Sequence, residues 1–176
     1  MKKLVAYAII IVALLTGFGI PAAAQGEDLE TNLKAAFLYN FTKYIDWQLG
    51  PDDAQFVIGV VGMSEVERAL EQIARTSTVN GRRIVVRHID RLEEIGGCQL
   101  LFIARDRRAG LREILSKVNR GEIAVAEENG AAREGAGFNF VLAGEKLKFE
   151  ANMRALSSSG LKVSSQLLKL AIIVKK

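Results

Sequence analysis

The sequence predicts an α/β fold: a single domain with a mostly parallel sheet flanked by helices, and a C-terminal β-hairpin on the sheet edge. Three observations carry that prediction. Residues 56–61, 100–104 and 123–126 are short continuous apolar runs, the pattern of strands covered on both faces. Segments with apolar residues at helical spacing separate them, as parallel strands with helical crossovers require. Near the end, Phe138, Phe140 and Leu142 alternate with Asn139 and Val141, and Leu147 and Phe149 with Lys148 and Glu150. Ala143-Gly144-Glu145-Lys146 connects the two runs, which makes them a hairpin.

The chain opens with an export pattern. Met1-Lys2-Lys3 is basic, residues 4–20 are apolar, Pro21 breaks the run, and Ala22-Ala23-Ala24 offers the small-x-small site a signal peptidase accepts. Cleavage after Ala24 is expected, with residues 1–24 a Sec-type signal peptide and residues 25–176 a periplasmic domain. The rival is an uncleaved membrane anchor, but the run is at the short end of the roughly 20 residues a bilayer needs. No cysteine closely follows, so a lipoprotein is excluded. Removing 24 of the 176 residues leaves 152, enough for one domain with its own core.

Gln25-Gly26-Glu27 should be a short flexible lead, followed by a helix from about Asp28 to Tyr44 with acidic residues in its first turn. Leu33, Ala36, Phe37, Phe41 and Tyr44 form its apolar stripe, widened by Leu38 and Ile45. Gly50-Pro51-Asp52-Asp53 reads as a turn into the first strand. Ser64 and Glu67 then stand as a capping box, Ser64 at the N-cap, for a helix carrying Val66, Leu70, Ile73 and Ala74. Residues 83–89 form a more charged strand, expected nearer an edge. After the strand at 100–104, Leu111, Ile114, Leu115 and Val118 mark a helix stopped by Asn119-Arg120-Gly121. Beyond the hairpin, a short helix near 151–156 leads to a closing helix lined by Val163, Leu167, Leu170, Ala171 and Val174.

Composition narrows the function. Losing Lys2 and Lys3 lowers the 24 basic residues to 22 against 20 acidic ones, so the mature chain is nearly neutral and nothing suggests a nucleic-acid partner. Arg82-Arg83 and Arg105-Asp106-Arg107-Arg108 read as solvated surface, an anionic membrane or wall polymer being the alternative. The one cysteine, Cys98, cannot close an internal disulfide. As a free thiol it reads as a small core hydrophobe, with an intermolecular bond or reactive thiol as the alternative.

Catalytic parts are missing. The Gly59-x-x-Gly62 turn lacks the glycines of a dinucleotide fingerprint and the lysine of a P-loop. His88 is the sole histidine, which disfavours a metal site, and the serines cluster at 157–159 and 164–165, in a loop and at a helix start, where capping rather than nucleophilic attack is their expected role. No cofactor is expected, and the chain reads as a non-enzyme. What remains is binding. Ligands of open α/β sheets gather beyond the carboxyl ends of parallel strands; here Met63, Ser64, Arg105, Asp106 and Glu127 would make a rim for a small-molecule effector. Separately, Phe37, Tyr39, Phe41, Tyr44 and Trp47 put five aromatics into eleven positions; core packing accounts for them, the alternative being that Tyr39 and Trp47 in particular face a protein partner, since Tyr and Trp favour interface hot spots. Phe37 and Phe41 are expected in the core.

Residues 35–47, 56–62, Gly81-Arg82, 98–103, the hairpin at 137–150, Asn152 and residues 160–171 occur in an order and spacing that resemble the YfiR family of exported bacterial proteins. The resemblance spans essentially the whole mature chain. It implies a periplasmic α/β domain, often a homodimer, that represses a membrane-bound diguanylate cyclase by binding its periplasmic portion, lowering cyclic-di-GMP output and biofilm formation. Other members accompany or are fused to sensor kinases, so an inner-membrane sensor kinase is the alternative partner and a small-molecule-binding sensory module the alternative role. Redox-responsive members use paired cysteines. Cys98 matches one such position, but this chain has no second cysteine, which removes an internal disulfide switch.

Overall fold

The computed structural model describes residues 22–50 and 54–175. Residues 1–21 of the expected export signal and Pro51-Asp52-Asp53 of the expected turn lie outside them. The chain divides into a unit of residues 1–30, represented by the first turns of one helix, and a unit of residues 31–176 that holds the sheet. No described helix is long and apolar enough to cross a membrane.

Helix α1 spans Ala22–Tyr44. It begins earlier than expected, and Gln25-Gly26-Glu27 is helical rather than a flexible lead. Ile45–Asp46 (β1) follows and pairs antiparallel with Lys162–Val163 (β9) in a small separate sheet. The main sheet is built from Gln55–Val61 (β2), Thr78–Val79 (β3), Arg82–Ile89 (β4), Leu100–Ile103 (β5), Ile123–Ala126 (β6), Phe138–Ala143 (β7), Lys146–Asn152 (β8) and Ile172–Val174 (β10). Its order is β10-β8-β7-β6-β5-β2-β4-β3. Every neighbouring pair is parallel except β3 with β4 and the hairpin β7–β8. The expected hairpin lies at the β10 end of the sheet, and the short β10 beyond it forms the edge strand itself.

Strand alternation sorts the core into two layers. Phe56, Ile58, Val60, Leu100, Phe102, Val125, Phe138, Phe140 and Phe149 face one way, against α1 from Thr31 onward and Val66–Ala74 (α2). Val61, Leu101, Ile103, Ala124 and Ala126 face the other way, with Leu111–Ser116 (α3) and Ala131–Glu134 (α4). Continuous apolar runs work here because both faces of the sheet are covered. Phe41 is the pivot of the first layer. Its ring stacks on Phe138 at 4.6 Å and meets Phe149 edge-on at 5.0 Å.

Three expectations need correction. The stripe of α1 is rotated: Lys34, Ala35, Leu38, Phe41, Thr42 and Ile45 are buried, while Leu33 and Tyr44 are exposed and Phe37 sits on the shoulder. Glu67 does not reach back to complete a capping box. Ser64 Oγ accepts from the Val66 amide at 3.3 Å, but Glu67 is drawn to His88, 2.8 Å away. The closing helix is absent from the described residues. Residues 162–174 instead run as β9, a single turn at Ser165–Leu168 (α6) and β10. Pairing with Tyr44–Asp46 and with β8 supplies backbone partners that local periodicity does not reveal. The expected helix near residue 151 begins at Met153 (α5, Met153–Ser159), capped by Asn152, whose Oδ1 accepts from the Arg154 and Ala155 amides.

Candidate functional site

Parallel pairing brings the carboxyl ends of β2, β5 and β6 to one rim. There Gly62 holds φ +92°, and a Cβ on it would come within 2.2 Å of Asp106 Oδ1. Glycine lets the turn after β2 press against the loop after β5. The Met63 amide then donates to Asp106 Oδ2 at 3.2 Å, while Ser64, expected at the N-cap of α2, stands one residue before it: the N-cap is Glu65, and Ser64 Oγ accepts from the Val66 amide.

Glu127, just past β6, is the hub of the rim. It is 8 % exposed. Oε1 accepts from the Arg105 amide at 3.1 Å, and Oε2 takes the ammonium of Lys34 on α1. A buried carboxylate in an apolar layer needs such partners. Beside it, Arg108 bridges Glu128 at 2.8 Å. The Glu128 amide donates to Oδ1 of fully buried Asn139, whose Nδ2 donates to Glu150. The rim is thus one polar network reaching from α1 across β5, β6 and β7 to β8. A cavity of about 450 Å³ opens over it, between Arg105, Arg108, Glu127, Glu128, Phe140 and Leu142. Acid and base lie side by side there, an arrangement that suits holding a small polar or zwitterionic molecule.

The five rim residues inferred from sequence therefore stand at one end of the sheet, four of them in two bonded pairs (Met63 with Asp106, Arg105 with Glu127) and Ser64 at the turn into α2. Lys34 and Asn139 were missed. For Lys34 a signal existed: it shares the helical stripe of Leu38, Phe41 and Ile45, an odd place for a lone lysine.

Tyr39 and Trp47 part company. Trp47 is only 4 % exposed; its Nε1 donates to the Thr42 carbonyl at 2.9 Å and its ring meets Phe56 edge-on at 5.1 Å. It seals the lower end of the core. Tyr39 is half-buried, with the Lys43 ammonium 4.1 Å from its ring centre. The open side of α1 is a different stripe. Leu33, Phe37, Asn40 and Tyr44, at i, i+4, i+7 and i+11, line it; Leu33 is 41 % and Tyr44 40 % exposed. Phe37 rests against Phe140 and Phe149. Leu142, two residues beyond Phe140 on the same face of β7, extends the apolar surface toward the rim and is exposed.

Cys98 lies at the amino end of β5, the pole opposite the rim. It is buried, and burial pushes its thiol above the ordinary range against the opposing pull of the Arg87 guanidinium, 3.0 Å from Sγ. A Cβ on Gly59 would sit 2.7 Å from Sγ, so the glycine makes room for the thiol. A raised pKa and burial describe an inert packing group. On the opposite rim, the hydrogen bond to Glu67 raises the pKa of His88, and Asp90 lies 3.6 Å from its other nitrogen. Among the described residues no three His, Cys, Asp or Glu side chains converge as a metal ion would need.

The model of the YfiR/HmsC-like family matches residues 31–172, which include both the rim and the outward side of α1. No curated protein matches the chain. Among solved structures, a conserved domain protein from Vibrio cholerae O1 biovar El Tor aligns with a TM-score of 0.51 and 11 % identity, over 68 % of this chain and 54 % of that one. The ABC domain in complex with L-Trp from Streptococcus pneumonia aligns with a TM-score of 0.49 and 11 % identity, over 70 % and 57 %. The chain spans little more than half the length of these structures, and the similarity to the first is one of fold.

Proposed function

Because the chain belongs to the YfiR/HmsC-like family, whose members are periplasmic regulators of the diguanylate cyclase pathway, we propose that it binds and represses a membrane signalling protein of the diguanylate cyclase type. Repression limits cyclic-di-GMP output and biofilm formation. In this reading the protein is exported through a cleaved signal peptide, acts without catalysis of its own, works as a homodimer, and meets its partner's periplasmic domain. One observation supports the binding role above the rest: α1 turns Leu33 and Tyr44 toward solvent, beside the half-buried Phe37, while its inward face is fully occupied. Exposed apolar surface on an otherwise well-packed helix is a docking feature. Tyr39, half-buried, lies on the opposite shoulder of the helix from Phe37; Trp47 contributes by holding the end of α1 in place.

Deleting the gene should raise cyclic-di-GMP and matrix production, and the purified protein should co-purify with the periplasmic domain of a diguanylate cyclase from the same genome. Unchanged cyclic-di-GMP in the deletion strain would overturn this reading. A second reading, a small-molecule-binding sensory module coupled to a histidine kinase, is favoured by the cavity over Glu127 and Arg105. Its mark would be a ligand-dependent change in kinase autophosphorylation with no change in cyclic-di-GMP.

A further inference from the structure

His88 stands near the carboxyl end of β4 with a carboxylate at each ring nitrogen. Nδ1 lies 2.8 Å from Oε2 of Glu67, in the first turn of α2, and Nε2 lies 3.6 Å from Oδ1 of Asp90. A neutral imidazole carries one N–H and can donate to only one of them; the imidazolium donates to both. The arrangement therefore suits the cation. The hydrogen bond to Glu67 raises the pKa of His88, outweighing partial burial and the opposing charge of Arg107, from the turn after β5.

Glu67 has a second place to go. Ser64 and Glu67 keep the spacing of a capping box, in which the carboxylate accepts from the Ser64 amide. That amide has no acceptor among the described residues; the Met63 amide before it donates to Asp106, and the Val66 amide to Ser64 Oγ. The start of a helix also favours a carboxylate in its own right. Two donors thus compete for one carboxylate, and only the imidazole changes with pH. The turn between them is packed against the same cluster. A Cβ on Gly62 would lie 2.5 Å from Arg107 Cγ and 2.2 Å from Asp106 Oδ1.

We infer that His88 and Glu67 form a pH-operated latch on the turn at residues 62–64. Protonated His88 holds Glu67 against the end of β4; loss of that proton halves the reason for Glu67 to stay, and it swings back to the Ser64 amide to close the capping box. A histidine held above its ordinary value of 6.5 contributes the tie between α2 and β4 in full below that value. The tie is lost as the pH rises through the folded value. His88 is 40 % exposed, so its proton exchanges freely with solvent. The latch concerns this turn alone and does not depend on the pathway the protein serves.

The test is an NMR titration of the purified protein, without a histidine tag, from about pH 5 to about pH 9. His88 is the sole histidine, so its ring signals identify themselves. The ring should titrate above the ordinary histidine value, and the Ser64 amide should move downfield with the same midpoint as the pH rises. Glu67→Gln should bring the ring's midpoint back toward the ordinary value and abolish the Ser64 titration. His88→Asn should leave the Ser64 amide in its high-pH position at every pH. Both side chains lie at the surface, and both variants should keep the wild-type melting temperature at high pH. Three results would overturn the inference: a ring that titrates at or below the ordinary value, a Ser64 amide that does not follow the ring, or a Ser64 titration that survives in His88→Asn.

Discussion

The carboxyl-end rim and the outward stripe of α1 are opposites in how they treat their side chains. On the rim, Glu127, Glu128, Asp106 and Asn139 spend their acceptors on groups within the domain, tying α1, β5, β6 and β7 together. On the outward stripe, Leu33 and Tyr44 are open to solvent on a helix whose other face is packed to completion. The rim therefore serves first to hold α1 against the sheet, and the stripe is the surface so held. A polar network that satisfies itself stabilises the domain, and the proposed docking role falls to the surface left open.

The comparison breaks first if α1's inward face proves dispensable. Phe41→Ala and Trp47→Ala should each destabilise the fold by about 3–5 kcal/mol in denaturant titrations, the range for buried aromatics. Losses under about 1 kcal/mol would mean that α1 is not anchored as described. Next in size is the rim. Glu127→Gln keeps an acceptor for the Arg105 amide but removes the charge facing the Lys34 ammonium, and should cost about 3 kcal/mol. If instead it left stability untouched and abolished regulation, the rim would be the working surface. Smaller still is the opposite pole. Cys98→Ser should cost about 1 kcal/mol through a less favourable buried group, and reducing agents should not move the melting temperature of the wild type. A melting temperature sensitive to reductant would reveal an intermolecular disulfide.

The sequence disclosed the parts of this molecule whose signal is local. Continuous apolar runs placed β2, β5 and β6, and the alternation from Phe138 to Phe149 placed the hairpin with its turn. The rim was legible too, because parallel strands must put Met63, Arg105, Asp106 and Glu127 at one end. What it hid depends on pairing distant in the chain. β9 and β10 lie in a segment whose apolar residues fit a helix, and only contact with Ile45–Asp46 and with β8 makes them extended. The face of α1 was misjudged for a related reason. An apolar stripe through Leu33, Phe37 and Tyr44 and one through Ala35, Leu38 and Ile45 are equally plausible as a buried face, and Phe41 borders both. Lys34 was the residue that could have decided, since its buried partner Glu127 fixes which stripe turns inward.

The account stands most directly on a paired measurement of stability and output for the Leu33→Ser/Tyr44→Ser double variant. Both side chains are substantially exposed, so the fold should stay within about 1 kcal/mol of wild type in denaturant titration. Repression should nevertheless be lost, with cyclic-di-GMP and matrix production rising to the level of a gene deletion. A variant that folds as well as wild type and still represses fully would contradict the claim that the outward stripe of α1 is the regulatory surface.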